Sequence, residues 1–422
     1  MSTTPQRYAD VPVDAPRAAR RGPLFDSGIV LLVGVLMALG VTMVYSASVT
    51  LAGAELDWRR WWATPLRQCV FALAGFLGML VVAHCNPRWL AWERPGDGWR
   101  PMTLYGVAVL ALVALQFIGQ EALGARRALV VLSEPVALSF QPAEVAKVVL
   151  VIWLAALLSR PVMPRRSLAP AEQNPLRSFR RGFLPAFLSA GLLIALTGIE
   201  DFGTAALMGV LTILMLAIAG ARWLHLGGAG LLGLAGGVLL ICLREFRSKR
   251  LLAWWSQEPD RLGEGYQIYQ SLLAIGSGGW FGRGLGAGVQ KYGYLPQDNN
   301  DFILATICEE LGIAGGIVVV ALFILLIWRG WRLFERVTDP FGRLLAAGLT
   351  LLVGLQAALN VAVVTNSVPT KGISLPFVSA GGSGVLFLGL AAGLLASLGG
   401  PWNPAPSSPR QTSGVAGASR AD

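Results

Sequence analysis

Long apolar runs alternate with short polar breaks along this chain, and the runs recur at close to membrane-spanning length. A helical crossing needs about 20 residues. On that measure ten spans are predicted, at about residues 27–50, 64–84, 102–119, 141–159, 184–199, 203–220, 227–243, 302–327, 343–365 and 382–399. The period-two alternation of an outer-membrane barrel strand is missing from them. The expected fold class is all-α: an integral polytopic bundle of about ten transmembrane helices, with a large loop at 244–301 between the seventh and eighth. Trp58, Trp61 and Trp62 cluster at the entrance to the second run, as aromatic side chains do at a membrane–water interface. The membrane domain is expected over 25–400. Polar tails rich in Pro and small residues at 1–24 and 401–422 are expected to be disordered.

Composition agrees with the pattern. The chain is 54% hydrophobic and 14% charged, against about 25% charged in ordinary soluble proteins. A net charge of +10 could signal nucleic acid. The cations, however, sit mostly in short loops between apolar runs, which is the arrangement that orients membrane helices. Nucleic acid is therefore excluded as a partner and the membrane retained. Arg17, Arg20, Arg21, Arg88, Arg160 and Arg329 are among the cations of the heavier side. That side is expected in the cytoplasm, with both termini, which puts the 244–301 loop on the outer face. Cys69, Cys85, Cys242 and Cys308 are widely spaced, and His84 lies far from His225. They suggest neither a disulfide framework nor a metal site, and the cysteines are expected as small core residues.

The polar residues that interrupt this pattern are the candidates for chemistry. Asp301 heads the eighth run. It suits a helix N-cap, and equally a general base on a bound hydroxyl, a role worth ~10²–10⁴ in rate. Glu309 and Glu310 follow about 12 Å deeper along the helix. As neighbours they face different directions, so at least one needs a cavity or a cation, and a structural ion pair is expected. In residues 139–147 (SFQPAEVAK), Pro142 suits a first helical turn, while Glu144 and Lys147 stand at i,i+3 and can neutralise each other or line a cavity. Glu200 and Asp201 are expected in a tight exposed turn. Residues 365–384 are rich in turn formers and small polar residues, which suggests a re-entrant or cavity-lining loop. Lys371 within it could bind a phosphate as a point charge. Gly282, Gly284, Gly286 and Gly288 look like a phosphate loop but lack its strand and motif context, so flexibility is expected there. Gly233, Gly236 and Gly237 in the seventh run suit close packing or movement.

Several motifs together resemble the SEDS family (shape, elongation, division and sporulation), and its division-type members most. They are VYSAS at 44–48, GARRAL at 124–129, FQPAEVAK at 140–147, EDFGTA at 200–205, the long segment 265–296, DFILATICEELG at 301–312 and PTKGISLPFVSAGGS at 369–383. The resemblance implies a ten-helix peptidoglycan glycosyltransferase in the cytoplasmic (inner) membrane, working at the division site. It would polymerise lipid II into glycan strands on the outer face and release undecaprenyl pyrophosphate. Asp301 falls on the position of the family's proposed catalytic aspartate. It would take the proton of the acceptor 4-hydroxyl in an inverting transfer. Lys371, Arg250 and Lys291 would stabilise the pyrophosphate, with lesser roles for Arg126, Arg127 and Arg283. Gln270, Glu144, Lys147 and Ser379, inside the shared motifs, are carried as substrate-binding candidates. A class B penicillin-binding protein transpeptidase and other divisome membrane proteins are the implied partners. No cofactor is evident, and a divalent cation, Mg²⁺ or Mn²⁺, bridging pyrophosphate and carboxylates stays open.

The chain departs from the family pattern at Gln297, Asn299 and Asn300 in LPQDNNDF, where an acid, His and Thr are usual, and Asp298 is a substitute acid. Ala380 stands for an aromatic and Glu200 for a proline. The competing readings are a lipid II flippase, a division scaffold, and an elongation- or sporulation-type polymerase. Polar motifs gathered in outer loops, rather than along a transmembrane path, favour the enzyme.

Overall fold

The computed structural model describes residues 24–48, 58–92, 98–122, 125–132, 138–160, 176, 178–243, 245–256, 265–296 and 299–401. The expected tails at 1–23 and 402–422, and Gln297 and Asp298, lie outside the described residues. In chain order the helices are α1 Ser27–Ser48, α2 Trp58–Ala83, α3 Trp99–Ile118, α4 Pro142–Leu158, α5 Leu184–Glu200 and α6 Phe202–Ile218. They continue with α7 Trp223–Cys242, α8 Glu245–Ser256, α9 Tyr266–Gly278, α10 Ile303–Arg336, α11 Pro340–Val364 and α12 Gly382–Ser397. Each expected span is a helix close to its expected limits, except that α10 runs on to Arg336. Among the described residues, six helices are long and apolar enough to cross a membrane, and α5, α6 and α12 are shorter apolar helices beside them. This is a polytopic, multi-pass membrane protein.

Sequence placed these helices by apolar length, and packing decides their depth. In α4 nearly every side chain from Glu144 to Ala156 is buried, and α11 is buried along most of its length. These two form the centre. At the rim, α7 buries only Leu226 and Ala229. Its Gly233 and Gly236 face open space and a Cβ on Gly237 would lie 3.8 Å from the Phe202 ring, so of the close packing or movement expected there, close packing is not made among the described residues. Close packing occurs instead between α2 and α12. A Cβ on Gly389 would lie 2.7 Å from the Gly75 carbonyl oxygen, and one on Gly393 2.5 Å from that of Met79. In a bilayer, where burial against lipid gives little drive, such backbone approach is a main source of helix association.

Three features fall below the length that a span count detects. Strands β1 Gln120–Ala122, β2 Ala125–Leu132 and β3 Leu138–Phe140 form a small antiparallel sheet in the order β1-β2-β3. Helices α8 and α9 occupy what the sequence presents as one long loop. The third feature is a break in α10. Gly312 has φ 76° and ψ 178°, which divides α10 into segments 303–311 and 313–336. The carbonyls of Glu309 and Glu310 there accept from the amides of Arg283 (3.0 Å) and Gly284 (2.9 Å). The amides of Ile313 and Ala314 donate to the carbonyls of Gly279 (2.9 Å) and Trp280 (3.2 Å). Unsatisfied backbone groups away from water cost several kcal/mol each, so the 279–284 turn segment supplies the bonds that the broken turn loses.

The two ends of the bundle differ in character. One end carries surface ion pairs, Arg88–Asp339 at 3.3 Å and Arg329–Asp26 at 3.4 Å, with Arg160 stacked over Trp92. The other carries Asp301 and the buried polar groups.

Gly393→Ala is expected to lower the thermal stability of the detergent-solubilised protein, since overpacking typically costs about 1–3 kcal/mol. Gly209→Ala in α6, where a Cβ meets nothing within 4 Å, is the control and should leave the melting temperature unchanged.

Candidate active site

A cavity of about 220 Å³ opens at the Asp301 end of the bundle. Its wall is assembled from distant parts of the chain. Arg67 and Phe71 come from α2, Gln141 and Glu144 from the start of α4, and Glu200 and Asp201 from the α5–α6 turn. Asn300 and Asp301 precede α10, and residues 380–384 lead into α12. Four carboxylates (Glu144, Glu200, Asp201 and Asp301) share this wall with one guanidinium, Arg67.

Asp301 is held by its backbone. Its carbonyl oxygen accepts from Asn360 Nδ2 at 2.8 Å, and the same amide group donates to the Ile373 carbonyl at 2.8 Å. Asp301 does not occupy the N-cap position of α10. A turn over 299–302 precedes α10, Phe302 occupies the N-cap position, and it makes no side-chain cap bond. Asp301 is one of the residues that line the cavity.

Residues 366–381 are non-helical and largely buried, and they line the cavity through Gly372, Ser374, Ala380 and Gly381. Side chains from the surrounding helices satisfy their backbone. Gln356 Nε2 donates to the Ser374 carbonyl (3.0 Å), and Gln68 Nε2 to the Ser379 carbonyl (3.2 Å). Ser379 was expected at the substrate, but it is buried and does not line the cavity. Its hydroxyl donates to the Asn300 carbonyl and accepts from the Leu375 amide, both at 2.7 Å. It fastens the loop to the chain beside Asp301.

The Glu144–Lys147 pair forms as the spacing suggests, at 2.9 Å. Lys147 Nζ also donates to Gln356 Oε1 at 2.8 Å, so it is consumed by neutralisation and does not reach the cavity wall. Glu144 does reach it, and its Oε2 has no hydrogen-bond partner. Asp201 caps α6, accepting from the Thr204 amide (3.1 Å) and hydroxyl (2.7 Å). The Glu200–Asp201 turn is therefore a partly buried piece of the cavity wall, not an exposed turn.

Lys371 lies beside the cavity, its ammonium 4.8 Å from the centre of the Phe202 ring. Burial pushes its pKa below the usual lysine value, and the charge of Asp201 partly opposes that. Lys291 does not line the cavity. It is buried with Nζ bonded to the carbonyls of Gly286 (2.6 Å) and Ser46 (3.2 Å) and lying 3.5 Å from Glu310 Oε1. A carboxylate in an apolar helix needs a cation, and Lys291 meets that need for Glu310. Gln270 on α9 and Arg250 on α8 do not line the cavity either. Arg283 is exposed, and Arg126 and Arg127 lie in β2 with side chains outside the described set. Of the four cysteines, only Cys308 is buried, so Cys69, Cys85 and Cys242 are not the core residues expected.

Sequence reasoning passed over Arg67, Gln356 and Asn360. A signal existed for the last two: amides one helical turn apart within an otherwise apolar run. Among the described residues, no three His, Cys, Asp or Glu side chains converge as a metal site.

These features define a membrane-embedded protein with an acidic, enzyme-like cavity at one end of its bundle. The chain belongs to the FtsW/RodA/SpoVE cell cycle protein family, whose model matches residues 27–400. It is 37% identical over 378 residues to the probable peptidoglycan glycosyltransferase FtsW of Geobacter sp. (strain M18), covering 89% of this chain and 97% of that one. It is 36% identical over 374 residues to stage V sporulation protein E of Bacillus subtilis (strain 168), covering 88% and 95%. Among solved structures, it resembles a chain from a peptidoglycan synthase complex that coordinates polymerization and crosslinking. That match has a TM-score of 0.67 at 26% identity and covers 89% of this chain and 97% of that one. The rod shape determining protein RodA of Thermus thermophilus matches with a TM-score of 0.59 at 25% identity, covering 91% and 98%.

Lys147→Met leaves Glu144 buried without its cation, and breaking a buried pair this way costs about 3–5 kcal/mol. A marked fall in melting temperature is expected, with most of it recovered in Lys147→Met/Glu144→Gln. Thermal unfolding of the three proteins in one detergent measures this.

Proposed function

We propose that this chain is a peptidoglycan glycosyltransferase that polymerises lipid II, with Asp301 as its general base. The observation that carries the reading is Asp301 in the lining of a polar cavity, its backbone fixed by Asn360, in a chain of this family. The acceptor's 4-hydroxyl gives its proton to Asp301 as the oxygen attacks the donor's anomeric carbon. The bond from that carbon to the lipid pyrophosphate breaks, the pyrophosphate leaves with the electron pair, and the anomeric configuration inverts. A base within hydrogen-bond reach contributes ~10²–10⁴ in rate.

Four carboxylates repel an anionic leaving group, so the pyrophosphate belongs on the cationic side of the site. Arg67 in the wall and Lys371 beside it are the groups to receive it. Cations aimed at developing charge in a water-poor site act more strongly than in bulk water. Lipid tails stay in the bilayer against the apolar helices.

The end bearing Asp301 faces outward and both termini face the cytoplasm. The positions of Arg88, Arg160, Arg329, Arg332, Arg336 and Arg343 at the opposite end support this orientation. A class B penicillin-binding protein transpeptidase is the proposed partner, in keeping with the polymerization and crosslinking complex of the structural relative. Relatives named FtsW favour a division role.

Asp301→Asn should fold as the parent does and lose at least ~10²-fold of its lipid II polymerisation, read as glycan product on a gel. Full activity in the folded variant would overturn the assignment, and lipid transport without chain growth would favour a flippase. Lys371 gives a pH test. Its lowered pKa means that its charge is lost, as pH rises, earlier than that of a free lysine. Lys371→Arg keeps the charge, so the alkaline fall in kcat should move to higher pH. Coincident alkaline limbs would remove Lys371 from the pyrophosphate site.

A further inference from the structure

Glu309 and Glu310 are buried charges that the proton transfer does not use. They are 1% and 0% exposed. Their carboxylates are ringed by the glycine loop expected to be flexible. Gly286 N donates to Glu310 Oε2 at 3.0 Å, and Gly288 N to Glu310 Oε1 at 3.4 Å. Val289 N and Gln290 N donate to the two oxygens of Glu309 at 2.8 and 3.3 Å. The Ser46 hydroxyl, at the end of α1, donates to Glu310 Oε2 and accepts from Gly286 N. Lys291 stands 3.5 Å from Glu310 Oε1. A Cβ on Gly288 would approach Glu310 Oε1 to 3.0 Å and Glu309 Oε2 to 3.1 Å, so a side chain there would crowd both carboxylates. Successive backbone amides of this kind make an anion-binding nest. Here its anions are the protein's own.

These bonds act on the segment that carries Asp301. Segment 303–311 is a helix of roughly 13 Å, cut off from the rest of α10 by the break at Gly312. One end is fixed through Asn360 on the Asp301 carbonyl. The other is held by the Glu309 and Glu310 carbonyls, which accept from the amides of Arg283 and Gly284, and by the two carboxylates, which join it to the 286–291 loop and to α1. We infer that Glu309 and Glu310, with Ser46 and the amides of residues 286–290, form an anion latch that positions Asp301 for proton transfer. They are positioning residues, since they do not line the cavity. Releasing the latch frees segment 303–311 to pivot at Gly312. A misplacement of about 1 Å at a reacting group can cost on the order of 10²-fold in rate. The latch also makes the conformation of the 279–296 loop and the position of α1 conditions for catalysis.

The effect on rate rests on Asp301 being the base, so the test pairs a catalytic readout with a non-catalytic one. Cys308 lies buried within the latched segment, while Cys69, Cys85 and Cys242 are exposed. In a full-length chain with those three changed to Ser, maleimide labelling of Cys308 reports opening of the segment without substrate. Ser46→Ala and Glu310→Gln should each label roughly 10-fold to 10²-fold faster than the parent. Each should lose a similar factor in kcat on lipid II with KM unchanged, assayed with the proposed transpeptidase partner. Ser46→Thr, which keeps the hydroxyl, should restore both. If Glu310→Gln does not fold, the Ser46→Ala and Ser46→Thr pair decides. Parental labelling and kcat in folded Ser46→Ala would overturn the latch, as would a loss confined to KM. Faster labelling with an active Asp301→Asn would uphold the latch and refute the base.

Discussion

A charge buried without a partner in an apolar bundle costs several kcal/mol, and the Asp301 end of this protein is arranged around that constraint. Glu144 is answered by Lys147, which Gln356 steadies in turn. Glu309 and Glu310 are answered by four backbone amides, a hydroxyl and Lys291. Asp201 is taken up by the start of α6. The Oε2 atom of Glu144 is the instructive exception, because it has no partner and belongs to a residue of the cavity wall.

Backbone obeys the same constraint. The break at Gly312 and the non-helical loop over 366–381 both lie at the Asp301 end. Non-helical backbone at membrane depth survives only where protein or a water-filled cavity satisfies it. Gln68, Gln356, Asn360 and Ser379 serve the loop, and the 279–284 segment serves the break. The site is therefore a place where helix order is given up and its lost bonds are replaced one by one. Departing from helices lets residues from α2, α3, α4, the α5–α6 turn, the turn before α10 and the loop into α12 converge on one cavity.

Much of the fold was legible because membrane crossing imposes a length, and length can be read from hydropathy alone. The Glu144–Lys147 pair was legible because i,i+3 contacts are local. Asp301 was legible as a carboxylate at the mouth of an apolar run. What was lost depends on distance in the chain. Lys291 looked like a free cation because Glu310 and Ser46 meet it only in three dimensions. Ser379 looked like a ligand because a hydroxyl in a polar loop gives no sign that backbone carbonyls will claim it. The glycines looked flexible because their amides bind side chains that come 22 and 24 residues later. Arg67 was hidden by its position near the start of an ordinary apolar helix, and α8, α9 and the small sheet by their brevity.

Asp301 as the base is tested most directly by a structure of the Asp301→Asn chain with lipid II in the cavity. The acceptor 4-hydroxyl should stand within hydrogen-bond reach of the side chain at position 301, about 2.6–3.2 Å, in line with the donor's anomeric carbon. A hydroxyl held instead by Glu144 or Asp201, with the side chain at 301 out of reach, would contradict the assignment.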